Sequence, residues 1–328
     1  MNITIIGGGA WGTTLAQSLA DNNHNVLIRD VNLEFVDKIN KLHIHPSFDL
    51  TIPSTIKATL SLEEAINFSD LIVLCVPTKF MRSVLKEINQ MIDTKKTFIN
   101  VSKGIEPETS KLVSEIVAEE ITKDHTYVVL SGPSHAEELI FRKFTCLVSA
   151  STDKESAILV QELFSNDLYL RVYTSDDVKC VETGGAIKNA IAVVSGIASG
   201  FGLGENARAA IITRGMREIY QIVLALGGKA DTVFGLSGLG DLIVTASSLN
   251  SRNYQAGLRI GQGQSVTTSL SNSKQTVEGI RTIEAAYQIG KKYDLYLPIM
   301  ETAYKLIHDE INVSEAAKIL LNRKLKSE

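Results

Sequence analysis

Asn2-Ile3-Thr4-Ile5-Ile6-Gly7-Gly8-Gly9-Ala10-Trp11-Gly12 is the stretch that decides the fold. A short run of strand-forming residues enters a G-x-G-x-x-G pattern, and Thr13 to Asn22 then reads as a helix. The three glycines have separate tasks. Gly7 permits the tight turn off the strand, Gly9 lets backbone approach a pyrophosphate, and Gly12 lets helix and strand pack closely. Phosphates of a dinucleotide would meet the free N–H groups and positive dipole end of that helix. A second strand follows over Asn25 to Ile28, and Asp30 ends it 18 residues after Gly12, where an acidic residue can accept from a ribose 2′-hydroxyl.

Working outward, the chain has two textures. As far as about Tyr173, strand-like runs (Leu71 to Val76, Thr97 to Val101, Tyr127 to Leu130, Thr145 to Ala150, Leu168 to Val172) alternate with helical stretches, as in a doubly wound sheet. After Ser175 the strands stop. No proline lies between Pro133 and Pro298, and Asp176 to Phe201 keeps apolar residues at three-and-four spacing, predicting one long helix. Further helices are expected over Glu205 to Leu226, Asp241 to Ser247, Gly279 to Tyr293, Ile299 to His308 and Ser314 to Leu325, with Gly261 to Ser273 as a mobile loop. The predicted fold is α/β. An N-terminal, doubly wound (Rossmann-like) dinucleotide-binding domain covers 1–175, and an all-helical substrate and catalytic domain covers 176–328. Two domains suit a length of 328 residues.

Composition excludes other classes. With 44% apolar and 21% charged residues the chain reads as an ordinary globular protein, and a net charge of −4 without a basic block argues against nucleic acid or an anionic membrane as partner. Cys75, Cys146 and Cys180 lack C-x-x-C spacing and suit a reducing compartment. No apolar run approaches the roughly 18 residues of a membrane span, and the first strand leaves no room for a signal peptide, so a cytoplasmic location is expected. The six histidines offer no ligand set. His43 and His45 read as part of a solvated loop, and no metal is expected.

In an open parallel sheet a ligand lies beyond the carboxyl ends of the strands. Three turns there stand out: Val76-Pro77-Thr78, Ser102-Lys103-Gly104 and Ser131-Gly132-Pro133-Ser134. In the second half, Gly184-Gly185-Ala186-Ile187-Lys188-Asn189 puts two glycines on the helix face of Lys188, either for close helix packing or to clear space for substrate. Lys188 is the candidate proton carrier, with Lys103 as the neighbouring cation that would tune it. The cluster Gly238-Leu239-Gly240-Asp241, Thr245 and Ser251-Arg252-Asn253 offers an arginine at a helix start, which suits a phosphate. Asp241 could bond a hydroxyl, orient the lysine or serve as a helix N-cap.

These motifs, together with Val101-Ser102-Lys103-Gly104-Ile105-Glu106 and Val277-Glu278-Gly279, run in order along nearly the whole chain. In this they resemble the bacterial-type NAD(P)-dependent sn-glycerol-3-phosphate dehydrogenase family. The resemblance implies reversible hydride transfer between NAD(P)H and dihydroxyacetone phosphate, giving sn-glycerol 3-phosphate for phospholipid synthesis. It implies Lys188 as proton donor and acceptor, and Lys103, Gly132, Ser134, Asp241, Ser251, Arg252 and Asn253 on the substrate, where Asn189 and Thr245 of the same clusters are also expected. Ala10, Trp11, Lys103, Ala136, Arg252 and Glu278 would line the cofactor, beside Gly7, Gly9, Gly12 and Asp30 as read from the glycine turn above, and a homodimer is the expected assembly. Ala10 and Ser134 leave the fit intact, since relatives often carry serine or alanine at the first and threonine at the second. The larger departure is Arg29-Asp30, where many relatives place a residue that accepts a 2′-phosphate. Asp30 instead favours NAD over NADP. Two alternatives are a β-hydroxy-acid or 6-phosphogluconate-type dehydrogenase of the same plan, and a non-catalytic NAD-sensing regulator.

Overall fold

The computed structural model describes residues 1–106, 108–271 and 277–322. Eight strands form one sheet: β1 (Asn2–Ile6), β2 (Asn25–Arg29), β3 (Lys57–Thr59), β4 (Leu71–Leu74), β5 (Lys96–Asn100), β6 (His125–Ser131), β7 (Thr145–Ala150) and β8 (Leu170–Ser175). Their order is β3-β2-β1-β4-β5-β6-β7-β8. Neighbours are parallel throughout except β6 and β7, which are antiparallel. β1 lies between β2 and β4, so the order reverses beside it, and that is where a parallel sheet opens a crevice for ligand.

Both faces of the sheet are covered at its centre, so β4 is buried and apolar at all four positions and β1 is buried at four of its five. Ile3 and Ile5 of β1 join Leu15, Leu19 and Val73 in one layer, while Ile6 joins Ile72, Leu74, Met81, Leu85 and Phe98 in the other. Thr4 lies among the second set, and its buried hydroxyl donates to the Ala65 carbonyl (2.6 Å). Lys96 is buried because its ammonium caps a helix end, donating to the Ile66 and Ser69 carbonyls (both 3.1 Å) and to Asp70 (2.7 Å).

The chain divides into two compact units, Met1–Lys103 with Leu112–Val181, and Gly104–Lys111 with Glu182–Glu328. The division falls inside the long helix, which runs Val178–Gly200. The second unit is helical among its described residues, with Glu205–Ala225, Asp241–Ser247, Arg252–Gly261, Glu278–Lys292, Pro298–Ile307 and Val313–Leu321 as its longer helices. Glycines hold two of these in close contact. A Cβ on Gly196 would overlap the Tyr254 carbonyl, and one on Gly257 the Val193 carbonyl; Gly200 and Gly261 repeat the contact one turn on. Glu218 is buried with both carboxylate oxygens on the start of the Pro298–Ile307 helix, accepting from the Ile299 (2.7 Å) and Met300 (3.0 Å) amides.

Several expectations need correction. β2 ends at Arg29, so Asp30 stands just beyond it. β8 begins two residues later than expected, because Asn166 accepts from the Leu168, Tyr169 and Leu170 amides and holds a turn there. β3 was not foreseen, being only three residues long. Most of the expected loop Gly261 to Ser273 is structured: it holds the helix Val266–Ser271, whose Ser269 hydroxyl donates to the Ala256 carbonyl (2.9 Å). Asn272 and Ser273 lie outside the described residues, as do the last positions of the helix expected to reach Leu325.

Candidate active site

The glycine turn has been built for two different reasons. At Gly7 the backbone is in the positive-φ region (+110°), and a Cβ there would strike the Cys75 carbonyl. A Cβ on Gly12 would strike the Gly7 carbonyl, so both glycines are required by packing. Gly9 is different. Its φ of −70° and ψ of −166° suit any residue, and a Cβ added to it would meet nothing within 4 Å. The fold therefore does not require glycine at Gly9; the space above it does. Gly9 is also the N-cap of the helix Ala10–Asp21 and makes no side-chain capping bond. A cleared approach to an uncapped helix N-terminus is what a dinucleotide pyrophosphate needs.

Asp30 has a task that the sequence did not reveal. One carboxylate oxygen accepts from the Gly8 amide (2.6 Å) and the other from the Asn32 amide (2.9 Å), tying the glycine turn to the end of β2. Each oxygen keeps a further lone pair for a ribose hydroxyl. Arg29 ends β2 with its Nε buried and without a hydrogen-bond partner.

The three turns beyond β4, β5 and β6 are joined. Ser102 donates from its hydroxyl to the Val76 carbonyl (2.7 Å). Lys103 reaches the Gly132 carbonyl (2.8 Å) and lies 3.5 Å from the Ser134 hydroxyl, which itself donates to Gly132 (2.9 Å). Gly132 has a φ of +144°, and Ala136 opens the short helix Ala136–Leu139 just beyond. His45, expected in a solvated loop, is fully buried against the first turn of the Ala10–Asp21 helix, its Nε2 3.1 Å from the Ala10 carbonyl. No local periodicity marks that burial. Among the described residues no cluster of His, Cys, Asp or Glu could hold a metal.

In the second unit, Lys188 is 5% exposed and Asp241 1%. The Lys188 ammonium donates to Asp241 and to the Thr245 hydroxyl (2.8 Å). Asp241 and Thr245 share one face of the Asp241–Ser247 helix, four residues apart, which is why one ammonium meets both. Asp241 is thus no N-cap, since Gly240 occupies that position. The carboxylate beside Lys188 is thus Asp241, in the lysine-orienting role that was one of three open to it. Gly184 does not clear space above the lysine; a Cβ there would press on Ser237 and Gly238 (3.0 and 3.3 Å), so this glycine serves packing.

Two asparagines form a relay. Asn253 donates to the Asn189 side-chain oxygen (2.9 Å) and accepts from the Gly279 amide (2.9 Å), so three helices meet through two amide groups. Ser251 caps the Arg252–Gly261 helix, accepting from the Tyr254 amide (3.2 Å). Arg252 is the exposed first residue of that helix, and half-buried Glu278 opens the next long one.

A glycine βα turn with open space above a helix N-terminus at the switch point of a parallel sheet, and a helical unit carrying a buried lysine with its counter-charge, fit the class of dinucleotide-dependent oxidoreductases. Family profiles described as the N-terminus and C-terminus of NAD-dependent glycerol-3-phosphate dehydrogenase match residues 2–157 and 177–318. The chain belongs to that family. It is 58% identical to a glycerol-3-phosphate dehydrogenase [NAD(P)+] of Acholeplasma laidlawii, over all of this chain and 99% of the relative. A Staphylococcus haemolyticus protein of the same name is 45% identical, over 99% of both chains. The crystal structure of a glycerol-3-phosphate dehydrogenase from Coxiella burnetii superposes with a TM-score of 0.93 at 31% identity, covering 98% of this chain and 99% of that one.

The Lys188–Asp241 pair makes a stability prediction. Asp241→Ala leaves an ammonium buried without its carboxylate and is expected to cost about 3–5 kcal/mol. The double variant Lys188→Met with Asp241→Leu removes both charges and should recover most of that loss in denaturant unfolding. A double variant no more stable than Asp241→Ala would mean that the pair is not desolvated.

Proposed function

We propose that this chain interconverts dihydroxyacetone phosphate and sn-glycerol 3-phosphate, using NAD(H) or NADP(H), and supplies phospholipid synthesis. The observation that carries this reading is the Lys188 ammonium, buried and held by Asp241 and Thr245. A bound reduced nicotinamide supplies hydride to the ketone carbon. As negative charge grows on the ketone oxygen, Lys188 stabilises it and delivers a proton from Nζ. In the reverse direction Lys188 takes the hydroxyl proton. Asp241 and Thr245 fix the position of Nζ by accepting hydrogen bonds from it.

The remaining roles follow the chemistry of each side chain. Arg252, at a helix start with Ser251 and Asn253, is assigned to the substrate phosphate, and Asn189 supports Asn253 through its amide. Lys103, Gly132 and Ser134 are assigned to substrate on the first unit. Gly7, Gly9, Ala10, Trp11, Gly12, Asp30 and Ala136, with Lys103, Arg252 and Glu278, are assigned to the cofactor. We accordingly take 1–175 as the dinucleotide-binding domain and 176–328 as the catalytic one. A homodimer is supported by exposed Phe141, Phe144 and Leu168, apolar surface that a second copy would cover. Cys75, Cys146 and Cys180 are in no disulfide, which supports a cytoplasmic location.

The direct test is NADH consumption with dihydroxyacetone phosphate against plain dihydroxyacetone. Guanidinium binds phosphate bidentately and ammonium cannot, so Arg252→Lys should weaken the phosphorylated substrate by on the order of tenfold. Dihydroxyacetone should be a poor substrate for the parent and little affected by the change. Equal loss on both substrates would assign Arg252 to the fold or the cofactor.

For the cofactor we infer that NAD is preferred, because the Asp30 carboxylate repels a 2′-phosphate. Arg29, with its buried Nε unpartnered, opposes this preference by offering a cation. The ratio of kcat/KM for NADH over NADPH should exceed one in the parent and fall in Asp30→Ala. A parent favouring NADPH would show that Arg29 reads the ribose.

A further inference from the structure

Residues 43–52 form a closed turn with one buried polar side chain. The His45 amide donates to the Leu50 carbonyl (2.7 Å), the Ile52 amide to the His43 carbonyl (2.9 Å), and Ile44 bridges Thr51. Inside this turn His45 is 0% exposed, with its ring 4.6 Å from that of Phe48. The Ser47 amide donates to its Nδ1 (3.1 Å), so Nδ1 carries a lone pair and Nε2 carries the proton. That proton faces the Ala10 carbonyl at 3.1 Å, with the Thr14 hydroxyl 3.2 Å away and itself donating to Ala10 (2.7 Å). Burial lowers the imidazole to about 4, against the opposing influence of the Ala10 carbonyl first and of Asp49 last, so the ring is neutral at physiological pH.

We propose that His45 is a positioning residue for the dinucleotide: by holding the Ala10 carbonyl, it sets the Trp11 amide that meets the pyrophosphate. The peptide between Ala10 and Trp11 is planar and trans, so its C=O and N–H point in opposite directions and move together. Gly9 has no side chain with which to cap this first turn. A hydrogen bond to the Ala10 oxygen from beneath therefore aims the N–H above. The inference rests on the assignment of the glycine turn to the cofactor.

The test is equilibrium binding of NADH, followed by quenching of Trp11, the only tryptophan in the chain, on the full-length parent, His45→Ala, His45→Gln and Gly9→Val. Loss of one hydrogen bond predicts NADH binding about 3- to 10-fold weaker in His45→Ala, with kcat at saturating NADH and KM for dihydroxyacetone phosphate little changed. Glutamine places an N–H near the position of Nε2 and should restore affinity to within about twofold of the parent. Unchanged NADH affinity in a folded His45→Ala overturns the proposal, and so does equal weakening in the alanine and glutamine variants. Gly9→Val separates the two readings. Its side chain enters open space, so the protein should melt as the parent does while losing NADH. If Gly9→Val binds NADH normally, the assignment of the turn itself fails, whatever the His45 variants do.

Discussion

A lysine ammonium can be buried in a helical unit only if a counter-charge and a hydrogen-bond acceptor are buried with it, and much of the second unit follows from that requirement. Removing an ammonium from water costs several kcal/mol, which Asp241 and Thr245 offset only at hydrogen-bond distance. The Asp241–Ser247 helix must therefore approach the long helix closely, and Gly184 against Ser237 and Gly238 permits it. The same close packing continues where Gly196 and Gly200 meet the Arg252–Gly261 helix. Glycine within helices costs about 0.5–1 kcal/mol each relative to alanine, a cost the chain bears in order to set Nζ between two acceptors.

In the first unit the corresponding constraint is space rather than charge. Gly7 and Gly12 are fixed by backbone contacts, whereas Gly9 is fixed by nothing in the protein. That difference separates a ligand-binding turn from a merely tight one. Asp30 anchors the turn from the β2 side and His45 from the helix side, so the amides facing the open space are held from two directions.

Sequence alone carried the sheet, the glycine turn and the long helix because each is written in local signals: alternating apolar runs, three glycines at fixed spacing, and a proline-free stretch at helical period. Lys188 was legible as a candidate for the same reason. Its pairing with Asp241 was only one of three roles left open for that carboxylate, because the two lie 53 residues apart and nothing in the intervening pattern says that they will meet. The structural bonds of Asp30 and His45 were missed, and close packing at Gly184 was left as one of two readings, for one physical reason: each depends on a backbone group brought near by tertiary packing. The polar stretch after Gly261 read as a mobile loop, yet the Ser269 and Arg259 bonds pin it to a neighbouring helix. Family membership adds identity to these residues but not their geometry.

The most direct measurement is turnover of dihydroxyacetone phosphate by Lys188→Met, beside NADH binding to the same protein. Lys188 as proton donor predicts kcat lower by about 10²–10⁴ with NADH affinity unchanged, the usual worth of a positioned acid. Near-normal turnover in a variant that binds NADH normally would contradict the account.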